Sequence, residues 1–186
     1  MEEQRPLAET QKKKSPYFEL YDWMDCIVYS VLVVVLLLSF CFRLIGVDGT
    51  SMVPTLQDCD RVLLRSMFYE PQAGDIVVFS KLKNPLVKRI IATEGQVVDI
   101  DFMQGVVYVD DVPLDEPYIN EPTQTRGDVS FPVEVPPGCV FVMGDNRNHS
   151  SDSRVLEVGM VDVRHILGKI SYRIMPFSSF GKITYS

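Results

Sequence analysis

The run "CIVYSVLVVVLLLSFCF", residues 26–42, carries 17 residues without a charge. As a helix it spans roughly 26 Å, just short of the ~30 Å hydrocarbon core of a bilayer. Leu44, Ile45 and a snorkelling Arg43 extend it, and Tyr21 and Trp23 at its near end suit an interfacial aromatic belt. A core helix of a water-soluble domain keeps a polar face, and this run has none. A cleaved export leader has a shorter apolar stretch, about 7–15 residues, and ends at a small-x-small site; the exit here reads "FRLIGVD". The sequence therefore predicts a disordered tail over 1–25, a transmembrane anchor helix over 26–45 and a separate domain over 46–186. Lys12, Lys13 and Lys14 precede the span, against Arg43 and Arg61 after it. Positive-inside counting thus places the N-terminus in the cytoplasm and residues 46–186 outside it, a single-pass type II arrangement in the cell membrane.

Composition narrows what the outer domain can bind. Residues 46–186 hold 13 Lys and Arg against 19 Asp and Glu, a net charge of −6. Such an acidic balance excludes nucleic acid as a partner and charge-driven adhesion to anionic lipid. Cys26 and Cys41 lie in the apolar run, which leaves Cys59 and Cys139; one distant pair is no disulfide framework, and a bridge and two thiols both remain open. No CxxC or HExxH motif occurs and there are only two histidines, so neither a metal nor any other cofactor is expected.

The remainder reads as strands divided by turn chemistry. "RVLLRSMFY", "DIVVFS", "LVKRIIAT", "QVVDIDFM", "GVVYVDD", "CVFVMGD" and "KISYRIM" are rich in β-branched and aromatic residues. Between them stand "PQAGD", "EGQ", "VPPG" and "GDNRN". The stretch "VVDIDFMQGVVYVDD" predicts a hairpin turning at Met103-Gln104-Gly105. The expected fold is mostly β: one transmembrane helix, then an antiparallel, barrel-like sheet assembly.

Three features carry candidate chemistry. In "GTSMVPTL", residues 49–56, Gly49 lets the backbone approach a substrate closely, the Ser51 amide can donate to an oxyanion, and Pro54 fixes the chain beyond. A nucleophilic serine needs a base. His149 and His165 are available in a Ser-His-Asp sense, although His149 lies in a polar loop. Lys88 is the better base: strand alternation in "LVKRIIA" puts it on one face with Leu86 and Ile90, where desolvation would lower its pKa towards the ~7–8 useful for catalysis. An ordinary lysine is neutral only about 0.04% of the time at pH 7. On pattern alone an exposed edge-strand lysine stays narrowly ahead of a buried base. The loop "GDNRNHSSDSR", residues 144–154, is the third feature, with Asp145, Arg147, Asp152 and Arg154 able to form paired charges and Ser150 and Ser153 as spare hydroxyls.

Taken in order, "SMVPTL" (51–56), "GDIVVF" (74–79), "VKRIIA" (87–92) and "GDNRNHSSDSR" (144–154) resemble the signature boxes of bacterial type I signal peptidases, over residues 43–175 with the anchor before them. The lack of long insertions is similar to the compact Gram-positive form. The resemblance implies a membrane-bound serine endopeptidase that cleaves signal peptides from membrane-inserted preproteins after small residues at −1 and −3. It implies Ser51 as nucleophile, Lys88 as general base and Ser150 orienting the base. Some members carry a serine hydroxyl two residues before the nucleophile; Gly49 stands there, so the oxyanion site would rest on backbone amides, with that of Ser51 first. Met52 and Val87 match positions lining the −1 pocket, and Asp145, Arg147, Asp152 and Arg154 match residues that hold the site together. This chain departs from the usual pattern at "ATEGQ" (Glu94, Gln96), at Asp110-Asp111 in place of Asn-Gly, and at His149. Two alternatives stand beside this reading: a self-cleaving repressor-type protease with a Ser-Lys dyad, and a membrane-tethered β domain that binds extended peptides without cutting them.

Overall fold

The computed structural model describes residues 16–66, 69–81 and 84–183. Lys12, Lys13 and Lys14, which carry the orientation argument, lie outside them. The chain forms two units, one ending at Ser39 and one beginning at Phe40.

The first unit is a helix, α1 (Pro16–Cys41). Proline at the opening position needs no helical N–H partner. Its segment Leu20–Ser39 is long and apolar enough to cross a membrane, and none of it is buried against protein. The hydroxyls of Ser30 and Ser39 donate to the carbonyls of Cys26 and Val35, both at 2.7 Å, so neither needs an outside partner. Two expected boundaries are corrected. Residues 16–25 are helical rather than part of a tail, and residues 42–45 do not prolong the helix. Phe42–Gly46 form strand β1 instead, because Leu44 and Ile45 find sheet partners in Leu63 and Val62. An apolar run alone does not distinguish helix from buried strand.

The second unit is antiparallel β throughout. After β1 come β2 (Arg61–Arg65), β3 (Ile76–Phe79), β4 (Leu86–Thr93), β5 (Val97–Asp101), β6 (Val106–Val109), β7 (Val112–Pro113), β8 (Val133–Glu134), β9 (Cys139–Met143), β10 (Val161–Asp162), β11 (Ile166–Met175) and β12 (Gly181–Lys182). One sheet runs β1-β2-β11-β3-β4-β9-β10, with β12 on β11, and the other runs β7-β6-β5-β8. All seven strands expected from the sequence form, as does the β5–β6 hairpin, where Asp101 pairs with Val106. The short strands β7, β8, β10 and β12 carry too few residues for a period-2 signal.

Alternation divides the apolar side chains among three clusters. In β3, Ile76 and Val78 join a cluster with Val47, Met52, Leu56, Val62, Leu64 and Ile170, while Val77 and Phe79 face Ile90, Val140, Val142, Val158 and Val161. In β9, Phe141 and Met143 turn to a third cluster with Ile91, Ala92, Val98, Ile100, Val107, Val109 and Val135. Strands β3, β4 and β9 are covered on both faces, which explains their nearly continuous apolar sequences.

The departures in turn sequence are local substitutes. Asp110 and Asp111 both have positive φ, 52° and 63°, as the tight β6–β7 hairpin requires. The Asp110 carboxylate accepts from the Val97 N–H at 2.8 Å. After β4, Gln96 Oε1 accepts from the Thr93 N–H at 2.9 Å, and Glu94 Oε2 accepts from the Gly138 N–H at 2.7 Å. These carboxylates and amides do what glycine and proline would do by conformation alone.

Candidate active site

Ser51 lies in the turn that follows β1. The Val53 N–H donates to the Thr50 carbonyl at 3.2 Å and the Leu56 N–H to the Met52 carbonyl at 2.9 Å. Gly49 opens the turn with φ +90°, and a side chain there would meet open space; the glycine is required by conformation, not by room. Its N–H donates to Asp58 Oδ1 at 2.8 Å, which holds the Asp58 carboxyl below its ordinary range. The Gly49 amide is thereby occupied, whereas the Ser51 N–H makes no hydrogen bond among the described residues.

Lys88, on β4 opposite Val77 of β3, is 3% exposed. Its Nζ donates to Ser51 Oγ at 2.7 Å and to the Val87 carbonyl at 3.0 Å. Burial pushes its pKa down to about 8; the carboxylates of Asp152 and Asp145 oppose that shift, and the Arg154 guanidinium adds to it. His149 and His165 are exposed, and neither bonds to Ser51. The alternation that put Lys88 between Leu86 and Ile90 is met: both pack with the Val77 and Phe79 cluster.

The remaining expected residues are distributed less simply. Met52 is 1% exposed and belongs to the hydrophobic core, and Val87 packs half-buried against the same cluster. Of the two, only Val87 offers surface to a ligand. The resemblance implies a Ser150 hydroxyl directed at the lysine; in the structure that hydroxyl is buried and makes no hydrogen bond. Ser150 is extended (φ −134°, ψ 131°) at the end of the 3-10 turn Arg147–His149 and packs against Gly144. A Cβ on Gly144 would fall 2.3 Å from Ser150 Oγ and 2.5 Å from the Ser51 carbonyl oxygen, so only glycine lets the 144–154 loop close on the serine turn. Cys59 is exposed, Cys139 is half-buried, and the two form no disulfide. Among the described residues no cluster of His, Cys, Asp or Glu could hold a metal.

Of the four loop charges expected to pair, only Asp152 and Arg154 pair with each other, at 2.8 and 2.9 Å. Asp145 instead takes a two-point bond from Arg89 of β4, at 2.7 and 2.5 Å, with both side chains fully buried. The Thr55 hydroxyl, four residues beyond Ser51, donates to the same carboxylate. Arg147 reaches Glu116 at 2.9 and 2.6 Å and Thr123 at 3.1 Å. The Tyr118 ring lies 3.8 Å beneath the Arg89 guanidinium. Arg89, Glu116, Tyr118, Thr55 and Gly144 are the site residues that sequence reasoning missed. Only Arg89 left a signal: a permanently charged side chain inside an apolar strand requires a buried anion.

Removing one member of such a pair leaves a charge without a partner. Asp145→Ala is expected to lower the unfolding free energy of the full chain in detergent by about 3–5 kcal/mol. Arg164→Ala, in the exposed Asp162–Arg164 pair where the arginine is 85% exposed, leaves the urea midpoint in place. Chemical unfolding followed by circular dichroism distinguishes the two outcomes.

Residues 20–175 match the family described as "Signal peptidase, peptidase S26". The protein named probable signal peptidase I-1 in Synechocystis sp. is 36% identical over 183 residues, covering 91% of this chain and 89% of that one. Signal peptidase I of Bacillus caldolyticus is 35% identical over 166 residues, covering 81% and 89%. A crystal structure of signal peptidase I from Enterococcus faecalis aligns with a TM-score of 0.45 and 30% identity, over 54% of this chain and 97% of that one. The resemblance read from the four boxes is thus met across nearly the whole sequence, and the repressor alternative gives way. The chain belongs to the signal peptidase family, peptidase S26.

Proposed function

We propose that this chain is a membrane-anchored serine endopeptidase that cleaves signal peptides from preproteins, with Ser51 as nucleophile and Lys88 as general base. The carrying observation is the 2.7 Å contact between a buried lysine amine and the serine hydroxyl. With its pKa near 8, the amine is neutral in roughly one molecule in ten at pH 7, against about 0.04% for an ordinary lysine. In the neutral form the hydrogen bond reverses, and Ser51 Oγ–H donates to Nζ.

The chemistry then follows in two halves. Nζ takes the Oγ proton as Oγ adds to the scissile carbonyl carbon, and the carbonyl π electrons move to oxygen. The unpaired Ser51 N–H donates to that oxyanion. Collapse breaks the C–N bond, and the lysine ammonium returns the proton to the leaving amine, leaving an ester on Ser51. The neutral amine next takes a proton from water, hydroxide adds to the ester, and Oγ leaves with the proton. The substrate lies extended along the strands beside Ser51 and Lys88, with small side chains at −1 and −3. α1 serves as the anchor, with the N-terminus in the cytoplasm and the β unit on the far side, beside the membrane-held preprotein. A peptide-binding domain without activity would have no use for a buried amine held against a hydroxyl.

Ser51→Ala and Lys88→Ala should each abolish preprotein cleavage in detergent, with His149→Ala retaining it. Cleavage by Lys88→Ala together with a dead His149→Ala would overturn the dyad. In wild type, kcat/KM should rise with pH through about 8, because the base must lose its proton to act. A flat profile from acid to alkaline pH would contradict a lysine base. The same burial has a stability cost with a defined sign. The folded pKa lies below that of the unfolded chain, so unfolded protein binds the extra proton between about 8 and the ordinary lysine value of 10.5. The penalty is fully present below pH 8 and fades as pH rises through that window. Lys88→Met is therefore expected to remove activity while raising unfolding free energy at pH 7 by about 1–3 kcal/mol, with the gain vanishing above pH 10.5.

A further inference from the structure

One residue reaches the backbone on both sides of Ser51 Cα. Asn146, 7% exposed, stands between β9 and the 3-10 turn of the 144–154 loop. Its N–H donates to the Ser51 carbonyl at 3.0 Å, and its Nδ2 donates to the Thr50 carbonyl at 3.1 Å. A peptide unit is a rigid plate, so the Thr50 carbonyl and the Ser51 N–H are opposite ends of one plate, and the Ser51 carbonyl and Met52 N–H of the next. Holding both carbonyls fixes the two soft dihedrals of Ser51. That sets the direction of the Cα–Cβ bond carrying Oγ, and it points the unpaired Ser51 N–H away from the Thr50 carbonyl.

The arrangement is more than local turn structure provides. Thr50 O also accepts from the Val53 N–H at 3.2 Å, which would close the turn without Asn146. The added bond comes from 96 positions along the chain. The Asn146 Oδ1 is buried and has no protein hydrogen-bond partner among the described residues.

We propose that Asn146 is the positioning residue of the oxyanion site: its side-chain amide holds the Thr50–Ser51 peptide plane so that the Ser51 N–H points at the oxygen that becomes negative. The inference rests on Ser51 being the nucleophile, and it adds a donor-aiming role that the dyad does not contain. The bond matters most when charge develops, so its loss is felt in the transition state rather than in substrate binding.

The test uses the full chain in detergent with a peptide substrate carrying alanine at −1 and −3. Asn146→Ala and Asn146→Leu both remove Nδ2 and keep the backbone N–H; leucine also keeps the branched shape and fills the space. Both variants are expected to lose about 10–100-fold in kcat, with KM within twofold of wild type and an unchanged pH midpoint. A peptide boronate that forms an anionic tetrahedral adduct on Ser51 should lose affinity by the same factor, while the cleaved product peptide binds as to wild type. Kcat within twofold of wild type in the folded variants overturns the inference, as does a loss carried by KM or by a moved pH midpoint. Loss of cooperative unfolding in both variants assigns Asn146 to the fold and also overturns it. The parallel arm with Ser51→Ala tests the reading beneath: cleavage retained there removes the nucleophile itself, whereas a dead Ser51→Ala beside a fully active Asn146→Leu removes only the role of Asn146.

Discussion

A lysine ammonium removed from water holds its proton less firmly, and the enclosure of Lys88 within the β unit is the constraint on which the rest of the site depends. Lys88 is enclosed by strands β3 and β4 and by the serine turn, and its Nζ finds a hydroxyl and one carbonyl but no bonded carboxylate. A hydroxyl accepts from an ammonium weakly enough that desolvation dominates, and the pKa falls to about 8. The same enclosure that makes the ammonium a stronger acid sets the 2.7 Å approach to Ser51, so geometry and acidity have one cause.

Holding a turn and a strand at that distance falls to the 144–154 loop. Asp145 links β4, through Arg89, to the serine turn, through Thr55. Asp152 takes the Gly144 N–H at 3.0 Å and the Arg154 guanidinium, and Arg154 reaches the carbonyls of Thr125 and Arg147. Gly144 supplies the close approach. The bonds of Asp145 to Arg89 and Thr55 and of Arg154 to Thr125 run between segments far apart in the chain, so they fix relative position in a way no local turn could.

What could be read beforehand divides along that line. Strands β2 to β6, β9 and β11 were legible because period-2 alternation of β-branched residues is written locally. Ser51 and Lys88 entered as candidates through the resemblance carried by the four boxes, since a serine between glycine and proline and a lysine between Leu86 and Ile90 each have an ordinary structural reading. β1 was not, since an apolar run is equally at home in a membrane helix and in a sheet, and pairing with β2 decides it. The partners of Asp145 and Arg147 were not legible either. Composition states that a charge needs a partner but not which one, and Arg89 and Glu116 lie 56 and 31 residues away. Asn146 was hidden for a further reason: asparagine in "GDNRN" is ordinary turn chemistry, and its action on Thr50 exists only once the loop has closed.

The ion pairs also bear on Lys88. Asp145 and Asp152 both act to raise the pKa of Lys88, and a carboxylate left free beside the amine would keep it protonated. Each is instead engaged by a guanidinium, Asp145 by Arg89 and Asp152 by Arg154, which turns its charge into a local dipole pair. Lysine could not serve in those positions. An ammonium buried there would itself compete to lose its proton, whereas a guanidinium stays charged at any pH the protein meets and matches both carboxylate oxygens at once. The site thus needs permanent cations so that one conditional cation can become neutral.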